Sequence, residues 1–155
     1  MRIVVLVGLP GSGKTTYLER LGVAALSSDA IRGVLLDDER DQSANDRVFQ
    51  TLRYLLRHRL ALGRPVTYID ATNLAREDRR PYLKIGQSFG CAVEAVFFDL
   101  PLETCRRRNA RRRRVVPEEA MERLAARLTP PSVAEGFSKV TVITETGGAS
   151  LKPRA

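Results

Sequence analysis

Residues 8–16 read GLPGSGKTT and match the pattern G-x-x-x-x-G-K-[ST] at every fixed position. Gly8, Gly11 and Gly13 let the backbone wrap inward so that successive N–H groups converge on one point, where side chains would collide. Such a concavity holds phosphate. Lys14 supplies a mobile cation for β- and γ-phosphates, and the Thr15 hydroxyl has the right reach for a Mg²⁺ ion. Pro10, Ser12 and Thr16 complete the expected nucleotide cradle. The flanks agree with this. Residues 2–7 (RIVVLV) form a β-branched apolar run of strand length, and residues 15–21 have helical spacing with Gly22 placed to end them.

At 155 residues and 43% hydrophobic content, the chain can bury one core and is short for two. One domain is expected over residues 1–146, followed by a flexible tail over 147–155. No stretch approaches a membrane span of about 18 apolar residues, so a soluble, cytoplasmic protein is expected. Cys91 and Cys105 lack metal-ligand spacing and are expected as free thiols, with no zinc. The net charge is +8, and seven arginines between positions 106 and 114 carry all but +1 of it. Charge this local suits a polyanion or nucleotide held at one place better than a general nucleic-acid coat.

Beyond the first helix, residues 23–26 read as a short strand running into Ser27, Ser28 and Asp29. Residues 29–36 suit a short helix. Ser43 is expected to cap a long helix in a capping box with Asp46, its apolar face formed by Phe49, Leu52, Leu55 and Leu56. Residues 66–69 form a strand ending at Asp70, and a helix follows over 75–89 with Pro81 inside it. Strands at 91–98 and 140–143 flank two helices, one opened by Pro101 and one by Pro117. Five apolar strands alternating with helices predict an α/β fold, three-layer α/β/α, with a parallel five-stranded sheet and a helical lid at about 105–118. Ligands gather at the carboxyl ends of such strands. That rule brings together Gly8, Asp29, Asp70 and, at the next strand end, Asp99.

The acids and arginines at that edge select the reaction. Asp29 is the candidate general base, able to accept the proton of an acceptor hydroxyl as its oxygen attacks the γ-phosphorus; its alternative is to cap the helix behind it. Arg32, three residues on, shares its helix face and suits an acceptor carrying a phosphate beside the hydroxyl, or else makes an ordinary surface ion pair. Asp70 suits the Mg²⁺ ion or its water shell. Thr72 and Asn73 cap a helix, bind a polar substrate or orient Asp70. The run RRRNARRRR packs like charges that repel unless an anion compensates them. Arg108, Arg112 and Arg114 are the candidates to reach ATP from the lid, with Arg112 also a catalytic candidate, and the remainder could track nucleic acid.

The chain resembles the 5′-hydroxyl polynucleotide kinases, most closely the kinase module of bacterial end-healing RNA-repair enzymes. The resemblance runs from about residue 3 to 143, through GLPGSGKTT, SSDAIRGVLLDDERDQ (27–42), IDATNLAREDRRP (69–81), FFDLPLETCRRRNARR (97–112) and EGF (135–137). It implies that Lys14 and Thr15 hold phosphates and Mg²⁺, that Asp29 activates a 5′-OH, that Arg32 grips the neighbouring phosphate of the acceptor, and that lid arginines hold the donor. It also adds the acceptor class, a 5′-OH end of RNA or DNA. The family's best-known members join this module to phosphatase or ligase domains, whereas this chain holds one domain, so partners supplying those steps are expected. The competing classes are a small-metabolite kinase of the same fold, acting on a sugar, antibiotic or nucleotide sugar, and an ATP-binding module without efficient transfer. No N-K-x-D motif for guanine appears, which disfavours a GTPase. Few aromatics look free to stack bases, since Phe49, Phe97 and Phe98 read as core.

Overall fold

The structure, a computed structural model, describes residues 1–145 and 149–151. Its central strand, β1 (Arg2–Val7), explains the layers. Side chains alternate along a strand. Ile3, Val5 and Val7 enter one apolar cluster while Val4 and Leu6 enter another, and all five are buried because both faces of the sheet are covered. Over the first face lie α2 (Ser28–Leu36), α3 (Asn45–Ala61) and α4 (Arg76–Phe89), through Ile31, Leu52, Leu56, Tyr82 and Ile85. Over the second lie α1 (Lys14–Leu21), α5 (Leu102–Asn109) and α6 (Glu118–Arg127), through Leu18, Cys105 and Met121.

Beside β1 stand β2 (Ala25–Ser27), β3 (Val66–Asp70), β4 (Ala92–Phe98) and β5 (Lys139–Ile143), in the spatial order β2-β3-β1-β4-β5, all parallel. Val5 sits opposite Ile69 on one side and Ala95 on the other. The expected three-layer fold with five parallel strands is therefore present. The described sheet also gains β6 (Ala149–Leu151), which runs antiparallel to β5 with Val142 opposite Ser150. That strand falls within the stretch expected as a tail, of which residues 147–148 and 152–155 lie outside the described residues.

Three local expectations are corrected. Helix α3 begins at Asn45, behind Ala44, and no side chain caps it. Ser43 instead donates its N–H to Asp41 Oδ1 at 2.9 Å, so a local turn takes the residue that was to open the helix. The buried row of α3 is Val48, Leu52, Leu56 and Leu60, which repeats every four residues along one face. Leu55, turned about 100° from Leu56, is exposed, and Phe49 is half-buried. Strand β2 is shorter than expected and begins at Ala25. Helix α4 continues through Pro81, whose missing N–H frees only the carbonyl of exposed Glu77.

Candidate active site

The phosphate loop owes its shape to two positive backbone angles, φ 81° at Gly11 and 101° at Gly13, which L side chains adopt only with strain. Gly11 has a second constraint. A Cβ there would stand 2.5 Å from the Cys105 carbonyl oxygen and 2.9 Å from the Asn109 nitrogen, so the α5 backbone lies directly on the loop. From the other side, the Gly8 N–H donates to the Thr72 carbonyl at 3.0 Å and Asn73 Nδ2 donates to the Leu6 carbonyl at 2.7 Å. Asn73 is buried with φ 50°; its Nδ2 ties β1 to the connection after β3, and it does not cap α4, whose N-cap is Ala75. The first turn of α4 is served by Asp78, whose carboxylate accepts the Ala75 N–H at 3.1 Å.

At the start of α1 the leading backbone N–H groups have no helical partner and point out of the loop. Lys14 Nζ donates to the carbonyls of Gly8 at 2.7 Å and Leu9 at 3.0 Å. Burial pulls its pKa down to about 8, assisted by Arg112 and opposed by Asp70 and Asp29. Burial likewise pushes the Asp70 carboxyl up, against Lys14 and with Asp29. The Ser12 hydroxyl is buried without a hydrogen-bond partner among the described residues. Thr15 and Thr16 are exposed on the first turn of α1 and line the same cleft as Asp70. Asp99, at the end of β4, is not among the residues lining it.

Asp29 is not the cap of α2. Ser27 takes that role, its hydroxyl accepting the Ala30 N–H at 3.2 Å. The freed carboxylate is gripped twice: Arg32 Nη1 lies 2.8 Å from Oδ1, and Arg114 Nη1 lies 2.6 Å from Oδ2. Arg32 is 4% exposed, which removes it from the class of surface ion pairs. Its Nη2 donates to Asn45 Oδ1 at 3.0 Å, and Asn45 Nδ2 in turn donates to Gln42 Oε1 at 2.9 Å. Asn45, at the first position of α3, therefore fixes the plane of the guanidinium. Nothing in the sequence pattern singled it out.

The seven arginines of 106–114 divide. Arg106 pairs with Glu103, Glu118 and Glu122, joining α5 to α6, and Arg107 lies 3.7 Å from Glu145. Protein carboxylates thus compensate part of the run, which was not foreseen. Arg108 approaches the loop, its Nη1 3.7 Å from where a Gly13 Cβ would stand. Arg112 acts electrostatically on both Lys14 and Asp70, and Arg114 reaches across to Asp29. Asn109 closes the turn that carries them, donating from Nδ2 to the Val116 carbonyl at 2.8 Å and accepting the Val116 N–H at 3.0 Å. Residues 110–115 are so held over the cleft.

A family model described as an AAA domain matches residues 3–131. The chain belongs to this AAA domain family. Its α/β fold is the one P-loop kinases share, and its loop carries the matching phosphate-binding pattern. Over 145 aligned residues it is 30% identical to transcription factor bHLH140 of Arabidopsis thaliana and 28% identical to the bifunctional polynucleotide phosphatase/kinase of Schizosaccharomyces pombe (strain 972 / ATCC 24843), each covering 89% of the chain. It spans only 15% and 32% of those proteins' lengths. An unliganded sugar kinase structure from Janibacter sp. HTCC2649 superposes with a TM-score of 0.69 at 21% identity, covering 96% of this chain and 87% of that one.

The described residues contain no group of three or more His, Cys, Asp or Glu able to hold a metal ion. A Mg²⁺ ion commonly takes one or two protein oxygens together with phosphate oxygens and water, and Thr15 and the half-buried Asp70, which line the same cleft, are the residues that could supply them. Cys91 and Cys105 are both free, as expected. No helix among the described residues is long and apolar enough to cross a membrane. Sequence reasoning also missed the partner of the EGF segment. Glu135 accepts from Arg79 Nε and Nη2, each at 2.9 Å, while Arg79 Nη1 donates to the carbonyls of Asn73 and Leu74.

Proposed function

We propose that this P-loop kinase transfers the γ-phosphate of ATP to the 5′-hydroxyl end of an RNA or DNA strand, by in-line attack. One observation carries the proposal: Asp29 stands in the nucleotide cleft with its carboxylate oriented by Arg32, and Arg32 is buried and locked by Asn45. Water as acceptor would have no use for a buried arginine beside the base. An acceptor with a hydroxyl and an adjacent phosphate uses both groups.

In this reading the backbone of Gly8, Pro10, Gly11, Ser12, Gly13, Lys14, Thr15 and Thr16 surrounds the donor phosphates, and the orphaned Ser12 hydroxyl gains a partner there. Lys14 leaves its own carbonyls for the β- and γ-phosphates. Thr15 and Asp70 would hold Mg²⁺, which would neutralise charge on the transferring group. Each Asp29 oxygen keeps a second lone pair beside its guanidinium, so the carboxylate can take the hydroxyl proton while the 5′-oxygen bonds to the γ-phosphorus. The bond to the β–γ bridging oxygen breaks and ADP departs. Arg108 and Arg112 bear on the donor, and Arg114 links the lid to the acceptor side.

The fission-yeast relative, a polynucleotide phosphatase/kinase of which the chain spans 32%, supports the acceptor class. The fold shared with a sugar kinase supports the rival acceptor, a small metabolite. The test is transfer of labelled γ-phosphate, with Mg²⁺, to a 5′-OH oligonucleotide, beside the same strand already 5′-phosphorylated and a set of free sugars. Label on the 5′-OH strand alone is expected. Label on a sugar with none on any strand would overturn the proposal.

A further inference from the structure

Outside the nucleotide cleft, a second groove of about 410 Å³ runs between α3 and α4. Arg53 and Arg57 line it from α3, and Arg80 and Lys84 from α4, each pair four residues apart and so on one helix face. None of these four cations has a carboxylate partner among the described residues, unlike Arg106, Arg107 and Arg114. Glu77 is the one acid described along the groove. Four like charges held close on two rigid helices repel one another, and a polyanion relieves them.

The groove opens into the cleft, since Arg53, Glu77 and Pro81 line both. Along α3 the connection is continuous. Asn45, Phe49, Arg53 and Arg57 recur every four residues: the first holds Arg32, the second lines the cleft half-buried, and the last two line the groove. At roughly 1.5 Å of rise per residue, Arg57 stands about 18 Å along the axis from Asn45. That is the length of about five stacked nucleotides at ~3.4 Å per phosphate. Phe49, packed half-buried against the core, lines the cleft at the near end.

We infer that the groove between α3 and α4 is the track for the phosphodiester backbone of a single strand whose 5′ end lies at Asp29, with Arg53, Arg57, Arg80 and Lys84 as phosphate contacts. This rests on the polynucleotide reading of the cleft. The contacts are to phosphates, so they carry affinity and no sequence preference. They lie beyond the nucleotide at the reacting end, so they act on long acceptors only.

The experiment compares the wild-type chain with an Arg57→Glu/Lys84→Glu variant, both residues being exposed and outside the cleft. Binding of a 3′-labelled 5′-OH dodecamer, as RNA and as DNA, is followed by fluorescence anisotropy over a range of salt. The expected result is affinity about tenfold weaker or worse and a log–log salt slope smaller by about 1.4, at roughly 0.7 per single-strand phosphate lost. The conservative Arg57→Lys/Lys84→Arg variant keeps both values. Transfer to a nucleoside 3′-monophosphate, which cannot reach the groove, remains at the wild-type rate in both variants. Unchanged affinity and slope would overturn the track and leave the patch to an acidic protein surface. Absence of transfer to every 5′-OH acceptor would overturn the proposed reaction instead, and the anisotropy series still decides the groove.

Discussion

Arg114 and Asp29 meet across the mouth of the cleft, the guanidinium Nη1 2.6 Å from the carboxylate Oδ2. One residue belongs to the turn after α5 and the other to the first turn of α2, so in the proposed reaction the pair would join the donor side to the acceptor side. Arg32 holds the opposite oxygen at 2.8 Å. Asp29→Asn preserves the shape and removes the charge that both arginines address. Transfer is expected to fall by about 10²-fold or more, with ATP affinity, measured by equilibrium titration, little changed. Near-wild-type transfer by the variant would refute Asp29 as the base.

Arg32→Ala removes a buried guanidinium that touches Asp29 and Asn45 but neither the phosphate loop nor Lys14. Initial-rate kinetics are expected to raise the acceptor KM by about tenfold or more while moving the ATP KM by less than about threefold, in keeping with loss of a charge-assisted contact. Asn45→Ala should follow the same pattern more weakly, since it positions Arg32 without meeting the acceptor. Equal effects on the two substrates would show that Arg32 shapes the whole cleft.

Arg79 and Glu135 form a bidentate pair in the interior, with side-chain exposures of 0% and 5%. Arg79 also satisfies two carbonyls at the end of the connection from β3, and Glu135 accepts the Ser132 N–H. Arg79→Ala strands the carboxylate and is expected to cost roughly 3–5 kcal/mol, read from the midpoint shift in urea denaturation. Arg79→Ala/Glu135→Ala should cost less than the two single changes combined. Strict additivity would mean that the pair contributes nothing as a pair.

What the chain disclosed in advance is what is encoded locally. The phosphate loop is contiguous, the Asp29–Arg32 spacing lies within one helix turn, and Gly22 and Gly90 end α1 and α4 at the foreseen places. What stayed hidden depends on distant partners. Arg79 gives no sign of Glu135, 56 positions away, and the Asn109–Val116 closure requires knowing that the chain turns back. The apolar face of α3 was misjudged because two adjacent leucines, Leu55 and Leu56, compete for it and only the sheet decides which is buried. Ser43 looked like a cap, yet the nearer carboxylate of Asp41 claimed its N–H first.

Gly11→Ala combines a backbone at φ 81° with a Cβ 2.5 Å from the Cys105 carbonyl. Backbone cannot yield as a flexible side chain can, so α5 must shift away from the loop. The variant is expected to lose both stability and nucleotide binding, the first by about 1–3 kcal/mol, seen as parallel drops in thermal midpoint and ATP affinity. A variant with full ATP affinity would show that α5 rides on the loop without shaping it.

Lys14 gives the cleft a pH dependence whose sign follows from its surroundings. Burial, with help from Arg112, lowers its pKa from 10.5 to about 8 in the ligand-free protein. Phosphates placed against the ammonium favour the charged form and raise the pKa in the complex. Between the two values, binding of ATP takes up a proton. Affinity should therefore be level below about pH 8 and weaken as pH rises beyond it, by up to about tenfold per unit, until the higher pKa of the complex is passed. Titrations from pH 7 to 9.5 would display the bend. Lys14→Arg keeps the charge throughout this range, so its affinity, whatever its level, should not bend. A bend of the same size in Lys14→Arg would assign the titration to another group.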